Sequence, residues 1–463
     1  MTLKRLALLF CVFLFAFSAT PLHAQMTGDI AEGLTPYESF HGGDIDSVNL
    51  SNGNLVLSIP LVSYPQRGAL KFSFSFVFNG KSTRTNELCT PVPPVNCSYY
   101  WTYAGPTVVE DNSVSVVETL FQPSGANSNK LSDFAVVTSD GGQHPLVGSS
   151  GGGQITGDAT GFWANSAYNT GVPAPTVIIS RNGVRNFITG SVLREDANGN
   201  QILIGASDYT DTMGRQVSAI GSSVPGTSSS TAACPSGPLP VASATTWTVP
   251  GEGGGTMQFM FCQVEAPINI PAQGKAPAVT GGTSLVTQSI VLPNSTVWTF
   301  AYDSYGLINQ VTFPTGGTIA YTYTSGPLGG CNYQNNISRS VATRTVNAND
   351  GTGAHTWQYT SALPTVKVTD PLANDTVHTF ALFGTAGGCY NFETLTQYYQ
   401  GSSTGGTLLK TATTDWNNFA NGNNVYTNPG MVPIRVTTTG TGMAMIGIFD
   451  LATTFQESQL QSP

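Results

Sequence analysis

From Lys71 to Phe78 the chain alternates without a break: Phe72, Phe74, Phe76 and Phe78 are separated by Ser73, Ser75 and Val77. A period of two puts all four rings on one side of an extended chain, whereas a helix would scatter them around its axis. The same spacing groups Leu55, Leu57 and Ile59, then Trp298, Phe300 and Tyr302, then Ile319, Tyr321 and Tyr323. Helical periodicity is nearly absent beyond the N-terminus. Between the alternating runs lie Asn52-Gly53, Asn79-Gly80, Asp140-Gly141, Asn182-Gly183, Asn198-Gly199 and Asp350-Gly351. These dipeptides accept positive φ and predict tight hairpins with type I′ turns. Parallel pairing would need crossovers of about a dozen residues, usually helical, and no such pattern is visible. The expected fold class is therefore all-β, built from successive antiparallel hairpins.

The surface implied by this pattern is unusual. Charged residues make up only 9% of the chain, against about 25% in an ordinary soluble domain. Gly, Ser, Thr and Asn fill the gap. The formal net charge is −9 and no basic run follows the N-terminus. Counterion-release binding to nucleic acid has no footprint here, and anionic membranes are poor partners for the same reason.

The first residues predict export. Lys4 and Arg5 precede an unbroken apolar run from Leu6 to Phe17, and Leu22-His23-Ala24 offers a cleavage site before Gln25. That is the three-part pattern of a secretory signal peptide, and its apolar run is shorter than the ~20 residues a spanning helix needs. No later stretch is apolar enough to span a bilayer. Composition divides the chain into a leader (1–24), an N-terminal β region (25–170), an irregular β region with a Ser/Gly/Pro-rich exposed loop (171–282) and a strand-rich region (283–463).

Cys11 falls in the leader. Cys89, Cys97, Cys234, Cys262, Cys331 and Cys389 remain, an even set in a chain expected to reach an oxidising compartment. Their spacing is not metal-like. Short loops close at lower entropic cost, so nearest-neighbour disulfides are expected: Cys89–Cys97, Cys234–Cys262 and Cys331–Cys389.

The segment from Tyr302 to Thr324 reads YDSYGLINQVTFPTGGTIAYTYT. Its Tyr302, Asp303, Gly306, Ile308, Val311, Pro314, Gly316, Tyr321 and Tyr323 stand where the YD repeat of RHS proteins has its signature, and the segment resembles that repeat. Arg194–Ile202 with Asp211–Arg215 is similar to the family's paired Asp-x-x-Gly phrases. Val368–Phe380 is a further echo, with Ala373 in place of the glycine. The opening from Asp46 to Gly68, with its Asn-Gly-Asn-Leu phrase and closing Arg-Gly, resembles the start of secreted RHS-type proteins. The resemblance implies that the hairpins stack into a spiralling β-sheet or partial shell, since one strand-turn-strand unit cannot bury its face alone. The family's self-cleaving core and its variable effector tail have no counterpart phrases here. That fits either a short member or the N-terminal part of a longer reading frame.

A search for chemistry yields no catalytic residue, no metal ligand set and no cofactor motif. Gly148-Ser149-Ser150-Gly151-Gly152 has G-x-S-x-G spacing but lacks the strand and helix of a nucleophile elbow. Asp196 to Asn200 begins like a calcium loop, but Ser207 stands where the bidentate glutamate belongs, so a hairpin turn is expected. Asp44 and Asp46 read as a surface pair. His41, His144, His355 and His378 share no metal-ligand spacing. Trp101, Trp163, Trp247, Trp298, Trp357 and Trp416 include at least two, Trp298 and Trp357, expected to pack in the core.

The reading is an exported, non-catalytic structural or interaction protein of the RHS/YD-repeat kind, secreted or held at the cell surface for enclosure or display. Its partner would be an encapsulated or downstream polypeptide, or cell-surface glycans. Two other readings stay open: a secreted carbohydrate-binding or adhesion protein using exposed Trp and Tyr, and an extracellular hydrolase with an unrecognised site. Aromatic faces turned inward would favour the first reading. A concave exposed row of Trp would favour the second, and a pocket of convergent Asp, Glu or His the third.

Overall fold

A computed structural model describes residues 33–450 except 35–36, 90–96, 104, 122–130, 148–153, 157–159, 166–174, 220–222, 274–275, 326–337, 363, 384–389, 419–430 and 441–448. The leader, the Gly/Ser segment at 148–153, Cys331 and Cys389 lie outside the described residues.

The described chain is all-β. Its strands form three large sheets of five, eleven and fifteen members and a separate two-stranded hairpin, and every described pairing is antiparallel. Neighbours in each sheet follow chain order almost throughout, as expected when each strand pairs with the next through a short turn. The exception is in the five-stranded sheet, where Phe72–Asn79 pairs with Thr107–Glu110 across the excursion Arg84–Cys89 and Cys97–Thr102. The sheets are not closed into a barrel. The strand Val279–Val291 runs across position 282.

The alternation read from the sequence is the core. Phe72, Phe74, Phe76 and Phe78 are all buried, and their rings meet both larger sheets. Phe72 lies 5.9 Å from Tyr209 in the eleven-stranded sheet, Phe74 lies 5.5 Å from Trp247, and Phe76 lies 5.0 Å from Phe300 in the fifteen-stranded sheet. One apolar cluster thus runs from Val48 through Ile202 and Val217 to Val341. Large edge-to-face and tilted ring contacts of this kind contribute beyond their area.

The turns correct the type I′ expectation. In a type I′ turn both central residues have positive φ. None of Asn52, Asp140, Asn182, Asn198 and Asp350 does, while Gly53, Gly141, Gly183, Gly199 and Gly351 have φ between 68° and 88°. The loop at Ser180–Val184 shows the pattern: Gly183 N–H donates to Ser180 O and Ser180 N–H donates to Val184 O. This is a type I turn followed by one left-handed residue, a three-residue loop with a G1 bulge. The polar residue directly before each glycine keeps a negative φ; in the Asp350-Gly351 loop Asn349 and Gly353 are left-handed as well, with φ 60° and 90°. Asn79-Gly80 is not a hairpin at all; it starts the short 3₁₀ turn Gly80–Ser82, with the Asn79 side chain accepting from Lys81 N–H.

Candidate functional site: an N-terminal clasp across two sheets

Among the described residues the Asp-x-x-Gly phrase, with Ala373 in place of glycine in one copy, is one structural unit built four times. Asp196 Oδ1 accepts the N–H groups of Asn198 and Asn200, both at 2.9 Å. Asp211 Oδ1 does the same for Met213 and Arg215, Asp303 Oδ1 for Tyr305 and Leu307, and Asp370 Oδ1 for Leu372 and Asn374. The fourth residue is left-handed each time: Gly199, Gly214, Gly306 and Ala373. An aspartate at the first position satisfies N–H groups that the tight turn would otherwise leave unpaired. The Asn200 side chain also donates to Asp196 and, with these backbone donors, holds its carboxyl at about 2. The Asp196 loop is therefore a hairpin tip, with its carboxylate oxygens engaged by the chain itself.

A second repeated bond joins the strands. Tyr302 hydroxyl donates to Thr287 O at 2.6 Å and Tyr323 hydroxyl donates to Ile308 O at 2.5 Å, each reaching a carbonyl on the preceding strand. Burial pushes both hydroxyls well above their ordinary pKa. Of the other signature residues, Ile308, Val311 and Tyr321 are buried in the main cluster, and Gly316 turns the next hairpin with φ 88°.

Residues 46–69 clasp both larger sheets. At one end Asp46 receives Arg344 through two hydrogen bonds, Nε to Oδ2 at 2.5 Å and Nη2 to Oδ1 at 2.8 Å, and Tyr321 hydroxyl donates to Oδ2 at 2.8 Å. Asp46 is only 2% exposed, which overturns its reading as a surface residue: a lone acid in an alternating run carries no sign of the arginine 298 positions away that neutralises it. His41 Nδ1 meets Tyr359 hydroxyl at 2.7 Å. Burial, with Arg344 nearby, pushes the His41 imidazole below its usual pKa.

The Asn-rich phrase follows. Asn49, Asn52 and Asn54 are buried: Asn49 Oδ1 accepts Ser51 N–H, Asn52 Oδ1 accepts Asn54 N–H, Asn54 Oδ1 accepts Lys81 N–H, and Val341 N–H donates to Gly53 O. At the other end, Tyr64 to Ala69 lies along two Asp-x-x-Gly tips. Ala69 N–H donates to Asp196 Oδ2, Gln66 Nε2 donates to Asp211 Oδ2, and Arg215 donates to Pro65 O. A Cβ on Gly68 would stand 1.8 Å from Asp196 Oδ2, so glycine is required for this approach. The Arg-Gly phrase and the Asp-x-x-Gly phrase, legible separately in the sequence, are one contact.

Polar groups converge elsewhere too. Glu393 receives the Ser39 hydroxyl on one oxygen and faces His378 Nδ1 at 3.1 Å on the other. The hydroxyl bonds the carboxylate directly, whereas a base-activated nucleophile needs imidazole between them. The arrangement is a junction tying the N-terminal segment to the far end of the fifteen-stranded sheet. Glu110 and Arg194 form a buried pair at 2.6 Å, and burial pushes the Glu110 carboxyl up despite the guanidinium beside it. Sequence reasoning singled out neither arrangement: Ser39 and Glu393 lie 354 positions apart, and Glu110 and Arg194 lie 84 apart.

Cys234 is bonded to Cys262. Cys89 and Cys97 stand opposite each other in the register of their hairpin. Trp247 and Trp101 are buried, Trp298 stacks on Phe313 at 4.9 Å and Trp416 on Phe392 at 4.6 Å, and Trp163 is 40% exposed. Among the described residues no helix is long and apolar enough to cross a membrane.

These features define a class: an antiparallel hairpin stack with a repeated Asp-x-x-Gly tip, held by an N-terminal clasp. No protein-family model matches the chain, and no curated protein matches it. Among solved structures it is similar to one described as the crystal structure of TcdB2-TccC3-Cdc42, at 9% identity and a TM-score of 0.20, over 82% of this chain and 20% of that one.

Proposed function

We propose that this chain is an exported, non-catalytic structural protein whose stacked hairpins form a wall of the RHS/YD-repeat kind, for enclosing or displaying another polypeptide. The observation that carries the reading is the Asp-anchored tip, three times with glycine and once with Ala373 among the described residues, found at the positions where the sequence resembles the repeat. The inward packing of Phe72 to Phe78, Trp247, Phe261 and Phe300 supports it, since the largest rings serve the interior. Export rests on the Lys4 to Ala24 pattern.

Two measurements test the proposal. Protein recovered outside the producing cell should begin at Gln25, and a polypeptide fused after Pro463 should resist added protease while the fold is intact. Cell-retained protein with Met1 in place, or a fused polypeptide as protease-sensitive as the free one, would overturn it. Ester, peptide and glycoside substrates should give background rates only. Turnover removed by Ser39→Ala or Glu393→Gln would establish a hydrolase instead.

A further inference from the structure

Residues 37–43 lie as a strap between the five-stranded sheet and the later strands of the fifteen-stranded sheet. The strand in it, Phe40–Gly42, is three residues long and forms the edge of the five-stranded sheet, paired with Asp46–Asn49. Towards the fifteen-stranded sheet the strap makes side-chain contacts. The Tyr37 ring meets Trp416 edge-on at 6.5 Å, and the Ser39 hydroxyl donates to Glu393. The His41 ring packs against Trp357 and Tyr359, 6.0 and 5.5 Å between centres, with Nδ1 2.7 Å from the Tyr359 hydroxyl. Every residue of the strap is half-buried or exposed, so opening it costs little buried area. The chain beyond it is fixed: Leu50 is buried with Val366, Val368 and Phe380.

His41 is the group on which the contact turns. A proton makes its ring a cation, and the groups that face it are Arg344 from Arg339–Asn347, Asp46 from Asp46–Asn49, His378 from Asp375–Phe383 and Tyr359 from Ala354–Ala362. Arg344 is already a cation, and its guanidinium lies 5.4 Å from the centre of the same Trp357 ring. Asp46 is the acid in this set, and its oxygens already accept two bonds from Arg344, one from the Tyr321 hydroxyl and one from Gly43 N–H. Glu393 is engaged by the Ser39 hydroxyl and Glu38 by the Asn49 amide. Burial pushes the Tyr359 hydroxyl above its ordinary pKa, so it stays neutral. An imidazolium here stands beside a guanidinium with each nearby carboxylate committed. Burial first and Arg344 second hold the closed His41 below its ordinary value, whereas a released histidine titrates near 6.5. The closed strap therefore binds the proton less well than the open one. Its hold is full above that pH and is lost as pH falls below it.

We propose that residues 37–43 form an acid-released strap: a proton on His41, placed beside Arg344, frees the strap from the fifteen-stranded sheet while the Asp46–Arg344 pair and the apolar core behind it stay packed. The proposal does not depend on the enclosure reading and can fail separately from it.

Timed proteolysis of the purified full chain at pH 7.5 and pH 5.5, on either side of the range where histidine takes up its charge, tests it. Mass spectrometry maps the cuts, and an unstructured peptide in the same tube corrects for the protease's own pH dependence. Cleavage within residues 37–45 should be about tenfold or more faster at pH 5.5, with far-ultraviolet circular dichroism unchanged. His41→Gln can still bond the Tyr359 hydroxyl but takes no proton, and should stay protected at both pH values. His41→Lys carries its charge throughout, and should be cut at pH 7.5 as fast as the wild type at pH 5.5. Equal protection of the wild type at both pH values, a His41→Gln chain cut at either pH like the acid wild type, a protected His41→Lys chain, or loss of the β-sheet signal at pH 5.5 would overturn the proposal.

Discussion

Ala373 occupies the position that glycine holds in the other three tips, with φ 64°. A left-handed non-glycine residue costs about 1–2 kcal/mol, and glycine's extra unfolded-state entropy takes back about 0.5–1 kcal/mol. Ala373→Gly should therefore stabilise the protein by roughly 0.5–1 kcal/mol, read as a higher urea midpoint at unchanged slope. Gly306→Ala should do the opposite and more, because its Cβ would also stand 3.0 Å from Ile268 Cδ1.

Asp375, at the foot of the Ala373 hairpin, makes a pH prediction. Burial alone would raise its carboxyl, but Ser403 N–H at 2.8 Å, the Thr369 hydroxyl at 2.7 Å and Lys367 Nζ at 3.3 Å hold it at about 2. An unfolded aspartate titrates near 3.9. The folded value is the lower one, so this contribution is present above that pH and is lost as pH falls towards 2. Asp375→Asn should flatten the stability profile between pH 5 and 2, checked by chemical denaturation at stepped pH.

At the scale of elements, the clasp is where sequence distance and spatial contact diverge most. Arg344→Met would strand the Asp46 carboxylate in the interior, and breaking a buried pair from one side costs about 3–5 kcal/mol. The double variant Asp46→Asn/Arg344→Met should recover part of that loss, because no charge is then left buried. Equilibrium unfolding of the single and double variants measures the coupling directly. Equal losses in both would mean that the packing of Arg344 over the Trp357 ring, 5.4 Å from its centre, outweighs the ion pair.

For the whole molecule, one apolar cluster spans all three large sheets. Its centre is the strand Phe72–Asn79 with Val241–Pro250 and Thr256–Ile270. Among their described side chains, the strands Tyr390–Gln400 and Thr407–Asn418 bury only Phe392 and Thr396. Opening free energy follows buried contact, so native-state hydrogen exchange should be slowest in the first three strands and fast in the last two. Uniform protection across the fifteen-stranded sheet would contradict this.

The sequence by itself determined the strand class, the inward face of Phe72 to Phe78, the repeated Asp-x-x-Gly tips and the tight loops between strands. Each of these is local: a period of two, or a carboxylate within reach of amides two and four residues on. The turn subtype was less legible, because Asn-Gly suits both a type I′ turn and a G1 bulge, and sheet twist with neighbouring packing chooses between them. Only the tertiary structure decided that Asp46 is buried against Arg344, that Gly68 rests on the Asp196 tip, and that Arg194 is buried against Glu110. Those contacts join residues 84 to 298 positions apart. No local pattern encodes such a pairing; it arises when hairpins that cannot bury their faces alone pack together and bring distant polar groups into one low-dielectric interior.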